Sequence, residues 1–365
     1  MKSPSVFLSL VGAVAMTFGL SNSSVQAQCP ADVNHDQQVN ATDLASVLSA
    51  WGTNGSATGT DINNDGLVNG SDLTFVFSGW GPCPGPTWAT VLEWAPDAAV
   101  VTNVTLRNAI TASGLPWRVR DNSSNIEMLL VPGGTFMMGC SASTQYACNS
   151  IESPTHQVTL TQAFYMGRYE VTQAQWTATM GSNPSYFQGA SYPDAASRPV
   201  ERVSWNMIAS GSTSFMSLTG LRLPTEAEWE YAYRAGTTTA FHSYALSPTE
   251  GQPNGFNDDT LLGNIAWYSS NSGGQTHAVG GKFANGFGLH DMSGNVWEWC
   301  QDWYGSTYYA SSPLTNPTGP ATGIGRLLRG GSWYYDSSYC RGSRRNDDFP
   351  VNTLYDVGFR VVRNP

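Results

Sequence analysis

The chain has 365 residues and a formal net charge of −10, which disfavours nucleic acid and anionic membrane surfaces as partners. Its length suits about two domains at ~150 residues each. Charged residues make up only 12% of the sequence, while Gly, Pro, Trp and Tyr are plentiful. This composition indicates loop-rich globular domains packed through aromatic side chains rather than helices held by ion pairs.

Residues 1–27 have the features of a secretory signal peptide. Lys2 precedes an apolar run from Val6 to Leu20, and Val25-Gln-Ala27 is a small-residue cleavage site. The apolar run of about 15 residues is too short, and too interrupted by Gly and Ser, for a membrane span. We therefore expect a protein that is secreted, periplasmic or held at the cell surface, with no transmembrane segment in the mature chain.

All six cysteines lie beyond the predicted cleavage point. An even number of cysteines in an exported chain favours disulfide bonds, although the sequence leaves their connectivity open. Proximity along the chain suggests the pairs Cys29–Cys83, Cys140–Cys148 and Cys300–Cys340. The first pair has the best support, because its cysteines bracket a repeat that is too small for a large core.

That repeat, within residues 28–83, consists of two matching loops. Oxygen-bearing side chains occupy loop positions 1, 3, 5, 9 and 12, and position 7 offers a backbone carbonyl, which is the spacing of an EF-hand-type calcium loop. The alternative, an acidic linker rich in Asn and Gly, is disfavoured by two copies in register. The candidate ligands are Asp32, Asn34, Asp36, Gln38, Asn40 and Asp43 in the first loop and Asp61, Asn63, Asp65, Leu67, Asn69 and Asp72 in the second.

The two loops differ at the sixth position, where the chain must turn sharply. Gly66 meets that need in the second loop, whereas the first loop has Gln37 there. We therefore expect the second loop to bind calcium more tightly than the first.

A helix is predicted after each loop, from apolar residues at helical spacing. These residues are Leu44, Val47, Leu48 and Trp51 in the first copy and Leu73, Val76, Phe77 and Trp80 in the second. Two loop–helix units without a preceding helix resemble a type I dockerin. The resemblance implies a cohesin-like protein partner, recognised in part through Ala41-Thr42 and Gly70-Ser71, and attachment to a larger assembly such as those of extracellular polysaccharide metabolism.

Residues 84–123 are expected to be a linker and connecting segment with a helix near Val104–Thr111. Regular elements are expected next: strands at Met128–Met138, Val158–Thr161 and Phe164–Glu170, and helices over Thr172–Met180, from Ser204 to Leu218, and from a capping box at Thr225–Glu228 to Arg234. From residue 237 onward periodicity nearly vanishes, so backbone groups there must be satisfied by turns, side chains and bound ions.

Several segments resemble the formylglycine-generating enzyme (sulfatase-modifying factor) family. They are Met128–Gly139, Arg198–Trp205, Gly220–Tyr231, Gly288–Trp299, Arg329–Trp333 and Gly358–Arg360. They occur in the family's order, cover roughly residues 124–363, and define a second domain over 124–365. The resemblance implies an α+β, C-type-lectin-like fold with much irregular structure, beside the small α-helical dockerin or EF-hand-like module.

The resemblance also implies calcium sites in this second domain. One would be formed by Asp291, Gly294, Val296 and Glu298, and the residues themselves agree, because two carboxylates flank a glycine turn. A second would lie near Asn264 and Ile265, with Asn271 or a neighbour as a further ligand. The alternative for the first site is that Asp291 and Glu298 form ion pairs with Arg329, Arg344 or Arg345.

The family's oxidase uses two cysteines five residues apart, which bind copper(I) and exchange disulfides with the target cysteine of a sulfatase. Without a gap after Gly330, Cys340 matches the second of these thiols, but Tyr335 stands at the first position. Aligned from the Arg-rich end, Cys340 matches a structural cysteine instead. Either alignment leaves the pair incomplete, and we favour a Cys300–Cys340 disulfide over a catalytic pair made of those two residues.

Two functions remain open. The first is an enzyme related to sulfatase-modifying oxidases, with Cys340 as its catalytic candidate, calcium as a structural ion and copper(I) only if oxidation occurs. The second is a non-catalytic domain that binds a peptide or glycan and is docked into a larger assembly.

Overall fold

The computed structural model describes residues 29–34, 36, 38–55, 58–63, 65–83, 85–140, 146–247, 250–252 and 254–365. The predicted signal peptide and Gln37 lie outside the described residues. Within these ranges, no helix combines the length and the apolar character needed to cross a membrane.

The architecture is mixed α+β, as expected. The helices are α1 (Ala41–Ser49), α2 (Gly70–Ser78), α3 (Val104–Thr111), α4 (Gln173–Met180), α5 (Trp205–Ala209), α6 (Phe215–Thr219) and α7 (Glu226–Arg234). The strands are β1 (Gln38–Val39), β2 (Gly81–Pro82), β3 (Ala89–Glu93), β4 (Arg118–Asp121), β5 (Glu127–Val131), β6 (Gly134–Met138), β7 (His156–Leu160), β8 (Phe164–Gly167), β9 (Tyr244–Ser247), β10 (Glu250–Gln252), β11 (Ala266–Trp267), β12 (Ser293–Gly294), β13 (Trp297–Trp303), β14 (Arg326–Arg329), β15 (Asn346–Asp348), β16 (Val357–Gly358) and β17 (Val362–Arg363).

The N-terminal module folds around helices α1 and α2, and strands β1 and β2 pair beside them. Each helix begins at a capping box: Asn40 and Asn69 are the N-caps, and Asp43 and Asp72 accept hydrogen bonds from the N-cap backbone. Its small apolar core contains buried valines and Ile62, and the predicted Cys29–Cys83 disulfide is present beside it.

The main sheet of the larger domain has the strand order β17-β8-β5-β4-β3, with antiparallel neighbours. The segment expected to be a connection therefore supplies two strands of this sheet, and α3 has the predicted bounds. Strand β4 reads Arg-Val-Arg-Asp, in which only Val119 is apolar. A single apolar residue gives too weak an alternation to be recognised as a strand.

A second sheet, in the order β15-β14-β13-β16, carries the Trp-Glu-Trp-Cys stretch. Strand β13 has no alternating pattern because nearly all of its residues are buried, Trp297 and Trp299 included. The C-terminal region thus lacks periodicity, as expected, but it contains a central strand that the absence of a pattern did not reveal.

Helix prediction succeeded where capping signals were strong. Thr172 and Thr225 cap α4 and α7 through the predicted side-chain hydrogen bonds. The single helix expected from Ser204 to Leu218 is wrong, because the structure has two short helices there. Gly211, with φ of +81°, lies between them, and Ser214 caps the second helix.

Candidate metal sites and a candidate ligand-binding surface

The first loop of the N-terminal module gathers carboxylates as the spacing predicts. Asp32, Asp36 and Asp43 each place one carboxylate oxygen within 4.8 Å of the others. Asp43 is fully buried, and its two oxygens accept hydrogen bonds from the backbone of Val33 (2.8 Å) and Asn40 (3.0 Å). This oxygen-rich cluster suits a hard divalent cation.

The second loop repeats the same bonding. Asp72 is fully buried and accepts from the backbone of Ile62 at 2.7 Å and of Asn69 at 2.8 Å. The side-chain amide of Asn63 donates to Asp65, and this bond, followed by one from a backbone N–H, lowers the pKa of Asp65. Gly66 has φ of +90°, the left-handed conformation that its position was expected to require.

The turn around Asp291 in the larger domain has a strained backbone, and the Asp291 carboxylate is buried. Asp291 (φ +55°), Gly294 (φ +76°) and Asn295 (φ +58°) all adopt left-handed conformations. A Cβ at Gly294 would lie 2.2 Å from the carbonyl oxygen of Trp267, so only glycine fits there. Asp291 Oδ2 accepts from Gly280 N at 2.6 Å, whereas the buried Oδ1 has no hydrogen-bond partner among the described residues.

Glu298 lies beside this turn but is already paired. Arg360 donates to both of its carboxylate oxygens at 2.6 Å, and Trp229 Nε1 donates to Oε2 at 2.7 Å. The ion-pair alternative is therefore realised for Glu298, but with Arg360 rather than with the arginines that were expected. The expected arginines pair elsewhere: Arg329 with Glu226 and Glu230, Arg344 with Glu152, and Arg345 with Glu226.

Sequence reasoning missed Glu170, the third member of this buried cluster. It accepts from Asn295 Nδ2 at 2.7 Å and from Val296 N at 3.1 Å. Burial, reinforced by the charge of Asp291, raises the pKa of Glu170. Glu170 is the last residue of the strand predicted over 164–170, which ends at Gly167 in the structure, and no spacing in the sequence connects it to Asp291.

The cluster therefore fits a divalent cation. Burial raises the pKa of Asp291 to about 6, as expected where Glu170, Asp291 and Glu298 face a single guanidinium. Burying carboxylates without enough positive charge nearby destabilises the folded protein. A cation beside the unpartnered Asp291 Oδ1 would offset that free-energy cost. Glu298 could contribute an oxygen only by weakening its pair with Arg360.

The second predicted calcium site fits poorly. Asn264 Nδ2 donates to the Tyr244 hydroxyl (2.8 Å), and the side chain of Asn271 is engaged by the backbone of Tyr268 and Ala266. The ammonium of Lys282 donates to the carbonyl of Gly263 at 2.5 Å, directly beside Asn264. A positive charge at that point opposes the binding of another cation, so these residues do not fit a second calcium ion.

The predicted Cys300–Cys340 disulfide is wrong. Both thiols are free and buried, and they lie in different core clusters. Cys300 is held within strand β13, whereas Cys340 ends a 3-10 turn. The predicted Cys140–Cys148 disulfide is present.

Cys340 is poorly placed for thiolate chemistry. Its side chain is fully buried among apolar residues, including Phe241 and Ile265, and this burial raises the pKa of the thiol well above its ordinary value. Tyr335, at the position of the missing cysteine, packs its ring 4.6 Å from that of Tyr339 and 5.9 Å from that of Trp297. Nucleophilic sulfur chemistry requires an accessible thiolate, which this arrangement does not provide.

Aromatic rings gather close to Tyr335 and form what we call the aromatic surface: the exposed Tyr186, Tyr334 and Tyr355, the half-buried Tyr335 and the buried Trp333. Tyr186, Tyr334 and Tyr355 are 61%, 55% and 44% exposed. The ring of Tyr355 lies 6.4 Å from Tyr186, 6.2 Å from Tyr334 and 5.6 Å from Trp333. Trp297 and Trp299 are buried in the core, whereas these three tyrosines are exposed.

A buried carboxyl supports one edge of the aromatic surface. Glu201 accepts from the backbone of Tyr186 at 2.9 Å and of Phe187 at 3.0 Å. Burial raises the pKa of Glu201 to about 7, although these two hydrogen bonds oppose the shift. Glu201 thus fixes the loop that carries the most exposed tyrosine of the surface.

Both parts of the chain match known protein families. Residues 115–365 match the sulfatase-modifying factor enzyme 1-like domain, and residues 30–78 match the dockerin type I domain. A formylglycine-generating enzyme of Streptomyces coelicolor is 31% identical over 284 residues, covering 64% of this chain and 88% of that protein.

Two solved structures share the fold of the larger domain. Treponema denticola variable protein 1 is similar with a TM-score of 0.56 and 32% identity, over 66% of this chain and 95% of that one. PvdO from Pseudomonas aeruginosa is similar with a TM-score of 0.56 and 25% identity, over 68% of this chain and 98% of that one. The predicted fold class is thereby confirmed.

Proposed function

The chain belongs to the family of the sulfatase-modifying factor enzyme 1-like domain and carries a type I dockerin, and on that premise we propose that it is an exported, calcium-binding protein that binds a glycan without performing the family's oxidation. The dockerin would attach it to a cohesin-like partner. The aromatic surface would hold the glycan.

The observation that carries this proposal is the replacement of the catalytic pair. An oxidase of this family requires two thiols, one of which must exchange with a substrate cysteine. Tyr335 cannot exchange disulfides, and Cys340 is buried without a neighbouring cysteine in the described part of the chain. The same place on the fold instead presents tyrosine rings to solvent.

The chemistry of the aromatic surface favours a neutral sugar chain. Tyrosine combines an apolar ring face with a polar hydroxyl, which suits the alternating apolar and hydroxyl faces of a sugar. The net charge of −10 disfavours a polyanionic ligand. Several rings within about 6 Å of Tyr355 offer a platform longer than one sugar unit.

Calcium has a structural role in this proposal. Dockerin domains typically bind calcium, and both loops of the module have the matching ligands. In the larger domain, a further ion would be held by Asp291 with its turn, with Glu170 supplying additional negative charge. These ions would stabilise short elements that have little core of their own.

The dockerin module presents exposed apolar side chains for a protein partner. Leu48 and Trp51 on the first copy and Phe77 and Trp80 on the second are each at least half exposed. Their presence on both copies supports the predicted cohesin-like partner, because exposed apolar groups of this size are typical of binding surfaces.

Titration calorimetry of the intact protein with neutral hexasaccharides, cellohexaose and xylohexaose, tests the proposal. We expect at least one to bind, and Tyr334→Ala or Tyr355→Ala to weaken that binding by about tenfold. Phe77→Ala, which removes an exposed ring from the dockerin module, is the matched control and should leave glycan binding unchanged.

A second arm examines the oxidation directly. A peptide containing Cys-x-Pro-x-Arg, incubated with the protein and copper(I), should keep its thiol, as read by mass spectrometry. Conversion of that cysteine to formylglycine would overturn the proposal, as would binding of the peptide with no binding of either hexasaccharide.

A further inference from the structure

A pocket of about 470 Å³ lies away from the aromatic surface and is used by no function described above. Its lining includes Val100, Arg168, Asn264, Lys282 and His290, together with Phe283. A volume of this size is typical of small-molecule sites. Ala99 and Val100 belong to residues 84–123, which were predicted to be a linker and connecting segment. The pocket is therefore lined in part by residues outside the segments that resemble the family.

Lys282 is the distinctive group of this pocket. The chain has two lysines, Lys2 in the predicted signal peptide and Lys282. The Lys282 ammonium lies 3.7 Å from the ring centroid of Trp267 and donates to the carbonyl of Gly263 at 2.5 Å. This cation–π contact fixes the ammonium at the pocket wall.

The approach of this segment depends on glycine. A Cβ at Gly280, which has φ of +77°, would lie 2.7 Å from the ring of Tyr169. The ring of Tyr169 in turn packs against His290 (5.1 Å), whose Nδ1 contacts the carbonyl of Lys282 at 2.8 Å. The backbone of Lys282 is thereby held in place before any ligand arrives.

The charge balance at the pocket is positive. Arg168 is matched by Glu127, whose carboxylate lies 2.7 Å from its guanidinium. Lys282 forms no ion pair among the described residues, and the lining contains no Asp or Glu. Burial lowers the pKa of Lys282, and the charge of Asp291, a buried residue outside the lining that accepts a hydrogen bond from Gly280, opposes this shift.

The rest of the pocket lining suits a ligand that contains a ring. Phe283 is 39% exposed, and its ring stacks on Tyr244 at 5.6 Å with an interplanar angle of 7°. Val100 and Ala99 add apolar surface. The pocket lining therefore offers both a cation without an ion pair among the described residues and an aromatic ring.

We propose that this pocket binds a monocarboxylate with a six-membered ring, of the size of a hexuronic acid. The carboxylate pairs with the Lys282 ammonium, and the ring of the ligand lies against Phe283. This inference does not depend on the aromatic surface or on the proposed glycan ligand.

Protection of Lys282 from acetylation tests the proposal on the intact protein. Sulfosuccinimidyl acetate modifies amines, and the peptide that contains Lys282 is identified by mass spectrometry. We expect saturating D-glucuronate to slow its acetylation by about tenfold, because a charge-assisted hydrogen bond occupies the amine. D-glucose, which has the ring without the carboxylate, should not protect it.

Acetate, which has the carboxylate without the ring, separates the two parts of the proposal. Protection by acetate at the same concentration as by glucuronate would overturn the ring contact. Equal protection by glucose, or the absence of protection by glucuronate, would overturn the site itself. The acetylation rate of the N-terminal amine monitors the reagent and should not change with any ligand.

Substitutions provide an independent readout. Lys282→Met keeps the apolar stem over Trp267 and should weaken glucuronate binding, measured by calorimetry, by about tenfold or more. Arg120→Gln removes an equal charge from an exposed position on β4 and should leave binding unchanged. Unchanged glucuronate binding in folded Lys282→Met would contradict the proposal, and the protection measured on the unaltered protein stands even if that variant does not fold.

Discussion

The two parts of this molecule bring acidic side chains together in opposite ways. In the N-terminal module, the acids of each loop lie within twelve residues of one another and recur in two copies. In the larger domain, Asp291 and Glu298 share one stretch of sequence, but Glu170 and the arginine that they meet, Arg360, come from distant parts of the chain. The acids of a local loop can be read from their spacing, whereas Glu170 and the pairing with Arg360 depend on tertiary contacts and cannot.

The contrast predicts that calcium removal will affect the module most. Each bound ion stabilises a folded state by about 4 kcal/mol when free calcium exceeds the dissociation constant a thousandfold. The module has a small core, so we expect chelation to unfold it while the larger domain keeps its secondary structure. Hydrogen exchange of α1 and α2, compared with α7, measures the difference. Equal protection of the module helices with and without chelator would contradict the expected difference between the module and the larger domain.

The larger domain should instead depend on its buried guanidinium. Arg360→Met leaves Glu298 as an unpaired buried charge, which should destabilise the protein by about 3–5 kcal/mol in denaturant unfolding. The control is Arg222→Met. Arg222 is 35% exposed in its ion pair with Glu228, so solvent screens the pair and its loss should cost about 1 kcal/mol or less. Equal costs for the two variants would contradict the view that the buried cluster carries this stability.

Glu201 should contribute to the pH dependence of the larger domain, together with Asp291, whose pKa burial also raises. Burial raises the pKa of Glu201 from 4.5 to about 7, so the folded protein retains a proton that the unfolded chain releases. Stability should therefore fall by about 1–3 kcal/mol as the pH rises from about 4.5 to about 7. Glu201→Gln should flatten this part of the curve, measured in chelator to keep calcium out of the comparison. An unchanged slope in that variant would rule out Glu201 as its source.

The smallest expected effect distinguishes the two copies of the module. Gly66→Ala places a side chain at a φ of +90° and should cost about 1 kcal/mol, lowering calcium affinity by about fivefold. Gly70→Ala is the control, because Gly70 lies in the first turn of α2 with open space around it and alanine is tolerated there. Both variants are read by calcium titration. A greater loss of affinity from Gly70→Ala would show that helix formation, and not the turn, limits the site.

Prediction from the sequence worked best where one residue determines its own surroundings. The capping box at Thr225 marks a helix start because a side chain bonds the backbone three residues away. The Cys29–Cys83 pair followed from its position around the repeat. The same reasoning failed for Cys300 and Cys340, because nearness along the chain says little about two buried strands and turns.

The sequence by itself determined the order of the parts, the ligand spacing of both loops, the family segments and the presence of Tyr335 five residues before Cys340. Only the tertiary structure decided that Glu298 pairs with Arg360, that Glu170 joins Asp291, and that Lys282 lies in a pocket without a carboxylate. The physical reason is the distance along the chain over which each kind of interaction acts. Capping, turns and loop coordination act over a few residues, whereas burial and charge pairing depend on which distant segments exclude water together.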